Sequence, residues 1–166
     1  MADESTFAEF YRATFRGLVT QLVAYTGDLA EAQDIAQEAY IRAWVRWGRL
    51  SSYDDPRAWV SRVGHHLAIS RWRRARVALA NLAKHRPPPS PGEPDGASLD
   101  LVNALRRLPG SQRRALVLFH LGGFSVGDIA RAEGAPEGTI KARLARGRRA
   151  LAPMLATTDT LDVSHQ

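Results

Sequence analysis

The sequence predicts an all-α protein built as two small helical domains joined by a proline-rich linker. Three observations carry this expectation. Apolar residues recur at a spacing near 3.6 in both halves, with no sustained alternation of the kind a half-buried strand would show. Residues 83–98 hold five of the nine prolines and no large apolar side chain, so that stretch can neither continue a helix nor bury a core. Cap and stop signals then divide each half into helices of ordinary length. The domains expected are 1–82 and 99–155, with 83–98 as linker and 156–166 as a tail too short for a further domain.

In the first half, Thr6-x-x-Glu9 reads as a capping box opening a helix whose Phe7, Phe10, Tyr11, Leu18, Leu22 and Tyr25 share one side. Gly27 stops it. Asp28-x-x-Glu31 opens a second helix with an inward stripe of Ala32, Ile35, Ala36, Ala39, Tyr40, Ala43, Trp44 and Trp47, and Gly48 ends it. Asp55-Pro56, an N-cap followed by proline at the first helical position, opens a third helix through about Arg76. The second half yields helices from Ser98 to Leu108, Pro109 to Leu121, Ser125 to Glu133, and about Pro136 to Leu155.

Composition narrows the function. The 166 residues carry 23 Lys and Arg against 17 Asp and Glu, a formal net charge of +6, which favours an anionic partner such as nucleic acid. The charge is unevenly placed: residues 51–86 carry eight basic and two acidic groups and residues 101–155 ten and three, while residues 87–100 are acidic. All but two of the basic residues are arginine, whose planar fork suits phosphate and guanine. No apolar run approaches the ~20 residues of a membrane span, and the acidic N-terminus has no signal-peptide pattern, so a cytoplasmic location is expected. With no cysteine there is no thiolate nucleophile and no thiolate metal site. No H-E-x-x-H occurs, and Gly134-x-x-x-Gly138 lacks the Lys-Ser/Thr of a phosphate loop. His65 and His66, adjacent on a helix, point about 100° apart, poor geometry for one metal ion. Neither an enzyme nor a cofactor is expected.

Residues 124–151 read as a helix-turn-helix. Ser125 caps a short helix with Asp128 in its first turn, Ile129 and Ala130 facing inward, Gly134 permits the left-handed backbone of a tight turn, and Pro136 opens the second helix. Ile140, Leu144 and Leu151 share one face of that helix, so Lys141, Arg146 and Arg149 emerge on or beside the other, where Gly138, Ala142 and Ala145 leave room for approach to a major groove. An ordinary αα-hairpin with a solvated arginine face is the plain alternative. The glycine turn, the short first helix and five basic residues in 141–149 favour the DNA-binding reading.

The first half carries two further features. Asp34, Gln37, Glu38, Ile41, Arg42 and Val45 occupy the side of the second helix opposite the stripe. Glu38 and Arg42 at i, i+4 could merely pair with each other, whereas exposed Ile41 and Val45 beside them suit docking of a partner helix. Tryptophans 44, 47, 59 and 72 and Tyr53 interleave with Arg46, Arg49, Arg57, Arg62, Arg71, Arg73, Arg74 and Arg76, a mixture that suits single-stranded DNA because bases stack on rings while guanidinium groups hold phosphates. Trp44 and Trp59 are expected in the core, and Trp47, Tyr53 and Trp72 exposed.

Four segments carry a resemblance: DIAQEAYIRAW at 34–44, DDPRAWVSRVGHHLAISRWRRAR at 54–76, LRRLPGSQRRALVLFHLGGFSVGDIA at 105–130 and GTIKARLARGRRAL at 138–151. In this order they resemble an extracytoplasmic-function (ECF) sigma factor of the sigma-70 family, and the variant resembles the actinobacterial SigE-like group. The resemblance implies a region 2-like domain at 1–82 and a region 4-like domain at 99–155, in a factor that binds core RNA polymerase and directs it to promoters. Asp34, Gln37, Glu38, Ile41 and Arg42 would then meet the β′ clamp helices. Trp47, Tyr53, Arg62, His66, Arg71, Trp72, Arg73, Arg74 and Arg76 would melt and read the −10 element. Gly138, Thr139, Lys141, Ala142, Arg143, Arg146, Arg148 and Arg149 would meet the −35 element. The β flap and an anti-sigma factor are the further partners it admits. Gly64-His65-His66-Leu67 and then Ser70 stand where the family commonly has Ala-Arg-Asn-Leu and then Asp, and Ala142 where a serine is common. The rival reading is a helix-turn-helix regulator that never touches polymerase.

Overall fold

The computed structural model describes residues 2–81 and 97–162; side chains are described for 3–81 and 100–156. All regular structure among them is helical. The described residues fall into two compact units, one within residues 1–92 and the other within 93–166. The linker assigned to 83–98 lies almost wholly outside the described residues; its last two, Ala97 and Ser98, already belong to a helix.

Unit 1 contains α1 (Ala2–Thr26), α2 (Leu29–Val45), the single turn α3 (Trp47–Leu50) and α4 (Pro56–Asn81). The long helices pack against one another in all three pairings. Local signals at the α1–α2 and α4 boundaries act as their chemistry requires. Gly27 leaves α1 at φ +75°, and the Asp28 carboxylate accepts the Glu31 amide at 3.2 Å. Asp55 accepts the Ala58 amide at 3.0 Å to start α4. The core beneath is Leu22, Val23, Ile35, Leu50 and Val60, with the four α2 alanines 32, 36, 39 and 43 allowing close helix approach.

Two expectations about boundaries are corrected. Helix α1 begins at Ala2 rather than at Thr6, whose hydroxyl donates back to the Asp3 carbonyl at 3.0 Å and accepts from the Trp47 indole. Helix α2 stops at Val45 rather than at Gly48: Arg46 adopts φ −110°, ψ 9°, and its amide turns back to the Ala43 and Trp44 carbonyls. The break rotates the α3 turn relative to α2. Trp47 swings into the core at 5% exposure while Trp44 is left 46% exposed, the reverse of the expected pair.

Unit 2 contains α5 (Ala97–Arg106), α6 (Gly110–Leu116), a π-helical turn over Val117–Leu121, α7 (Val126–Glu133) and α8 (Glu137–Asp162). Helices α5, α6 and α7 each pack on α8. The α6–α8 crossing is close because Gly147 lies against Leu116; a Cβ there would sit 2.7 Å from Leu116 Cδ1. Leu118, Ile129 and Ile140 fill the centre with no exposed surface. Helix α8 passes Pro153 and continues beyond the expected end at Leu155.

Candidate nucleic-acid interface

In unit 2 the chain builds a helix-turn-helix from α7, the turn and α8. The Ser125 hydroxyl accepts the Asp128 amide at 3.0 Å while the Asp128 carboxylate accepts the Ser125 amide at 3.2 Å, a complete capping box. Hydrogen bonding to Ser125, first its side chain and then its backbone, holds the Asp128 carboxyl below its usual range. Gly134 turns the corner at φ +64°, a left-handed conformation that costs residues with a Cβ about 1–2 kcal/mol. With Ile140 and Leu144 locked inward, α8 presents Gly138, Lys141, Ala145, Arg146 and Arg149 to solvent, and Ala142 half-exposed between them. A Cβ at Gly138 would meet nothing within 4 Å, so the helix start offers an open backbone.

Two arginines expected at this surface turn elsewhere. Arg143 leaves the outer face and approaches Glu133 at 3.6 Å. Arg148 donates from Nε to His120 Nε2 at 3.2 Å and lies over the Phe119 ring, 5.5 Å from its centroid. Both flank the core stripe, so carboxylate, imidazole and ring compete with solvent for them. Burial, and then the Arg148 charge, push His120 below its ordinary value. Beside this pair opens an apolar groove of about 250 Å³ between α5, the α6 end and α8, lined by Leu101, Leu105, Leu116, Val117, Leu121 and Leu151.

In unit 1 the outward side of α2 exposes Asp34, Gln37 and Arg42, with Ile41 64% and Val45 78% exposed. These solvated β-branched residues leave an uncovered apolar patch among the charges on that side of α2. Glu38 does pair with Arg42, at 2.7 Å, but it also reaches Arg71 of α4 at 3.5 Å. The expected polymerase-facing and DNA-facing residues therefore meet directly. They share a groove of about 780 Å³ lined by Glu38, Arg42, Val63, His66, Leu67, Ser70, Arg71 and Arg74.

Along α4, Arg62, His66, Arg73, Arg74 and Arg76 are exposed, and Arg71 and Trp72 are half-buried. Arg76 lies over the Trp72 ring at 5.4 Å, and Arg46 over Trp59 at 5.8 Å. Tyr53, in the loop before α4, is 48% exposed. Trp47 is withdrawn from this set. Its ring packs 5.0 Å from Phe10 and 5.2 Å from Phe7, and its indole N–H donates to Thr6 Oγ1 at 3.1 Å, so it is core and unable to stack on a base. Trp59, expected in the core, is half-buried. The two adjacent histidines diverge: His66 faces the groove, while His65 is fully buried with Nδ1 2.7 Å from the Ser61 carbonyl. Burial outweighs that hydrogen bond and pushes His65 below its ordinary value.

Sequence reasoning missed the Glu38–Arg71 bridge and the Arg114–Glu133–Arg143 cluster, in which Arg114 grips Glu133 with two hydrogen bonds of 2.9 and 3.0 Å. The partners are 33 and 19 residues apart, and no local spacing signals them.

Comparison with known proteins agrees with the two-unit architecture. Residues 10–77 match sigma-70 region 2 and residues 98–151 match sigma-70 region 4. The probable RNA polymerase sigma-C factor of Mycobacterium bovis is 33% identical over 147 residues, 86% of this chain and 79% of that protein. The ECF RNA polymerase sigma factor SigM of Mycobacterium tuberculosis is 30% identical, over 95% of this chain and 81% of its own. SigW of Bacillus subtilis, also an ECF RNA polymerase sigma factor, is 34% identical over 78% of each chain. The sigma factor RpoE of Bartonella quintana, solved with the anti-sigma factor NepR, shares the fold with a TM-score of 0.60 at 22% identity, covering 91% of this chain and 97% of that one. With both regions matched in order and ECF factors similar along most of its length, the chain belongs to the ECF group of the sigma-70 family.

Proposed function

We propose that this ECF RNA polymerase sigma factor docks on the β′ clamp helices of core polymerase through Asp34, Gln37, Ile41 and Arg42, with Glu38 bridging to the DNA-facing helix. In this reading Tyr53, Trp72 and the exposed cations of α4 take the opened −10 strand, and Lys141, Arg146 and Arg149 on α8 read the −35 duplex around Gly138, Thr139 and Ala142. The apolar groove beside His120 receives the β flap. Sigma factors are initiation factors with no catalysis of their own, so no residue is assigned to bond making or breaking.

The observation that carries the proposal is the difference between the faces of α8: one is locked into the core, while the other presents three cations around small residues. That arrangement fits a rigid helix entering a major groove. Exposed Ile41 and Val45 favour a polymerase-binding factor over a helix-turn-helix regulator acting alone, because such a regulator has no use for a solvated apolar patch in a second unit. Run-off transcription with core polymerase on genomic fragments tests the proposal: the factor must direct discrete start sites, and Arg42→Glu must abolish them without loss of helicity. Failure to co-purify with core polymerase would leave only the regulator.

Three finer assignments belong to the same proposal. The subgroup is SigE-like, on the resemblance of the segments at 34–44, 54–76, 105–130 and 138–151; the mycobacterial and Bacillus relatives carry other subgroup names, SigM and SigW. The chain works in the cytoplasm where polymerase is; among the described residues no helix is long and apolar enough to cross a membrane. An anti-sigma protein is included as a partner, as the Bartonella sigma factor was solved with one.

A further inference from the structure

Glu133 closes α7, and only 2% of its side chain is exposed. Its carboxylate sits between two other helices. From α6, Arg114 donates through Nε to Oε1 and through Nη2 to Oε2, a fork on a carboxylate that fixes direction as well as charge. From α8, Arg143 Nη1 stands 3.6 Å from the same Oε2. The two guanidinium groups differ in freedom: the Arg114 side chain is 15% exposed and the Arg143 side chain 25%. Among the described residues, Lys141, Arg146 and Arg149 meet no carboxylate at ion-pair distance, although they occupy the same helix. On α8, Glu133 therefore holds Arg143 and His120 takes Arg148, while Lys141, Arg146 and Arg149 stand at the outer face.

We infer that Glu133 determines whether Arg143 of α8 counts towards DNA. It is a positioning residue: it draws Arg143 to the α6–α7 side, so that duplex contact falls to the outer-face cations around the small residues at 138, 142 and 145. Without the charge on Glu133, Arg114 and Arg143 would face each other as like charges across a buried gap. Arg143, more exposed and held by one longer contact, is the group that swings out. Its position beside Ala142 and three residues before Arg146 brings a released fork to the phosphates flanking the groove. The gain would be indiscriminate, since a phosphate contact carries no sequence information. Glu133 thus keeps non-specific affinity down and lets base contacts decide. This inference rests on the reading of α8 as the duplex-binding helix.

The test measures how steeply affinity for a double-stranded −35 fragment falls with salt, using the full chain assembled with core polymerase. Each phosphate contact contributes about one to that slope. Arg149→Ala should lower the slope by about one, and Arg143→Ala should leave it unchanged. Glu133→Gln should raise it by about one and narrow the ratio between cognate and scrambled fragments. Adding Arg143→Ala to Glu133→Gln should remove the increase. A carboxylate that only braced the fold would change melting temperature and leave the slope alone, which would overturn the inference. So would an Arg143→Ala slope as low as that of Arg149→Ala, and this arm still decides if Glu133→Gln fails to fold. If neither arginine moves the slope, α8 is not the duplex-binding helix, and the inference falls with that reading.

Discussion

The two units present arginine to an anion in opposite ways. In unit 1 the cations are spread along α4 and the segment before it, and several lean on the protein itself: Arg71 on Glu38, Arg76 on Trp72, Arg46 on Trp59. In unit 2 they crowd on one face of α8, and among the α8 arginines the carboxylate and imidazole nearby engage the flanking Arg143 and Arg148. A surface of restrained cations beside rings can adapt to a flexible strand, because each guanidinium has a resting place and an alternative. Bare cations on a helix with a locked opposite face suit a ligand of fixed shape. Similar charge thus supports different nucleic-acid geometries, according to what surrounds it.

The comparison breaks most visibly at Trp47. Replacing it by Ala removes a buried ring from the Phe7–Phe10 cluster and should cost unit 1 about 3–5 kcal/mol, lowering the melting transition of unit 1 while that of unit 2 stays in place. An unchanged melt would return Trp47 to the exposed set. At Tyr53, by contrast, Ala should leave stability intact and cost ~1–3 kcal/mol of strand binding. Permanganate reactivity of unpaired thymines at −10 should fall while affinity for a −35 duplex holds. Arg146→Ala should do the reverse, weakening the −35 duplex by ~1–3 kcal/mol if it grips a base edge in bidentate fashion; an equal loss on every sequence would make it a phosphate contact. Gly134→Ala should cost unit 2 about 1–2 kcal/mol through backbone strain alone, since no neighbour crowds that position, and Gly134→Asn less. Smallest is Glu38→Gln: the carboxylate and its nearer partner Arg42 are solvated, so stability should shift by under ~1 kcal/mol. Urea titration resolves that from the larger loss a buried pair would give.

Apart from Thr6, which lies inside α1 rather than at its start, the caps and turns at Asp28, Asp55, Ser125 and Gly134 were readable from sequence because their chemistry is local. Asp28, Asp55, the Ser125 cap and Gly134 each bond within three residues or set a single dihedral pair, and each does so in the structure. The outer face of α8 was readable for a related reason, since an unbroken helix carries its period from Ile140 to Arg149. Where the helix broke, the reading broke. One residue out of helical geometry at Arg46 exchanged the environments of Trp44 and Trp47, and nothing in the composition of that stretch marks the break. Partners brought together by tertiary packing, Glu38 with Arg71 and Glu133 with Arg114, lay beyond any window that spacing can scan.

The hydrogen bond from the Trp47 indole to Thr6 bears on where this domain begins. The sigma-70 region 2 likeness starts at residue 10, and a truncated chain starting there would keep all the residues proposed to touch polymerase and DNA. It would also lose Thr6, the acceptor of a largely buried N–H, and Phe7, the ring that packs at a tilt against Trp44 and edge-on against Trp47. A buried donor stripped of its acceptor costs about 1–3 kcal/mol before the lost ring is counted. The minimal folding unit is therefore longer at its N-terminal end than the segment by which its kinship is recognised.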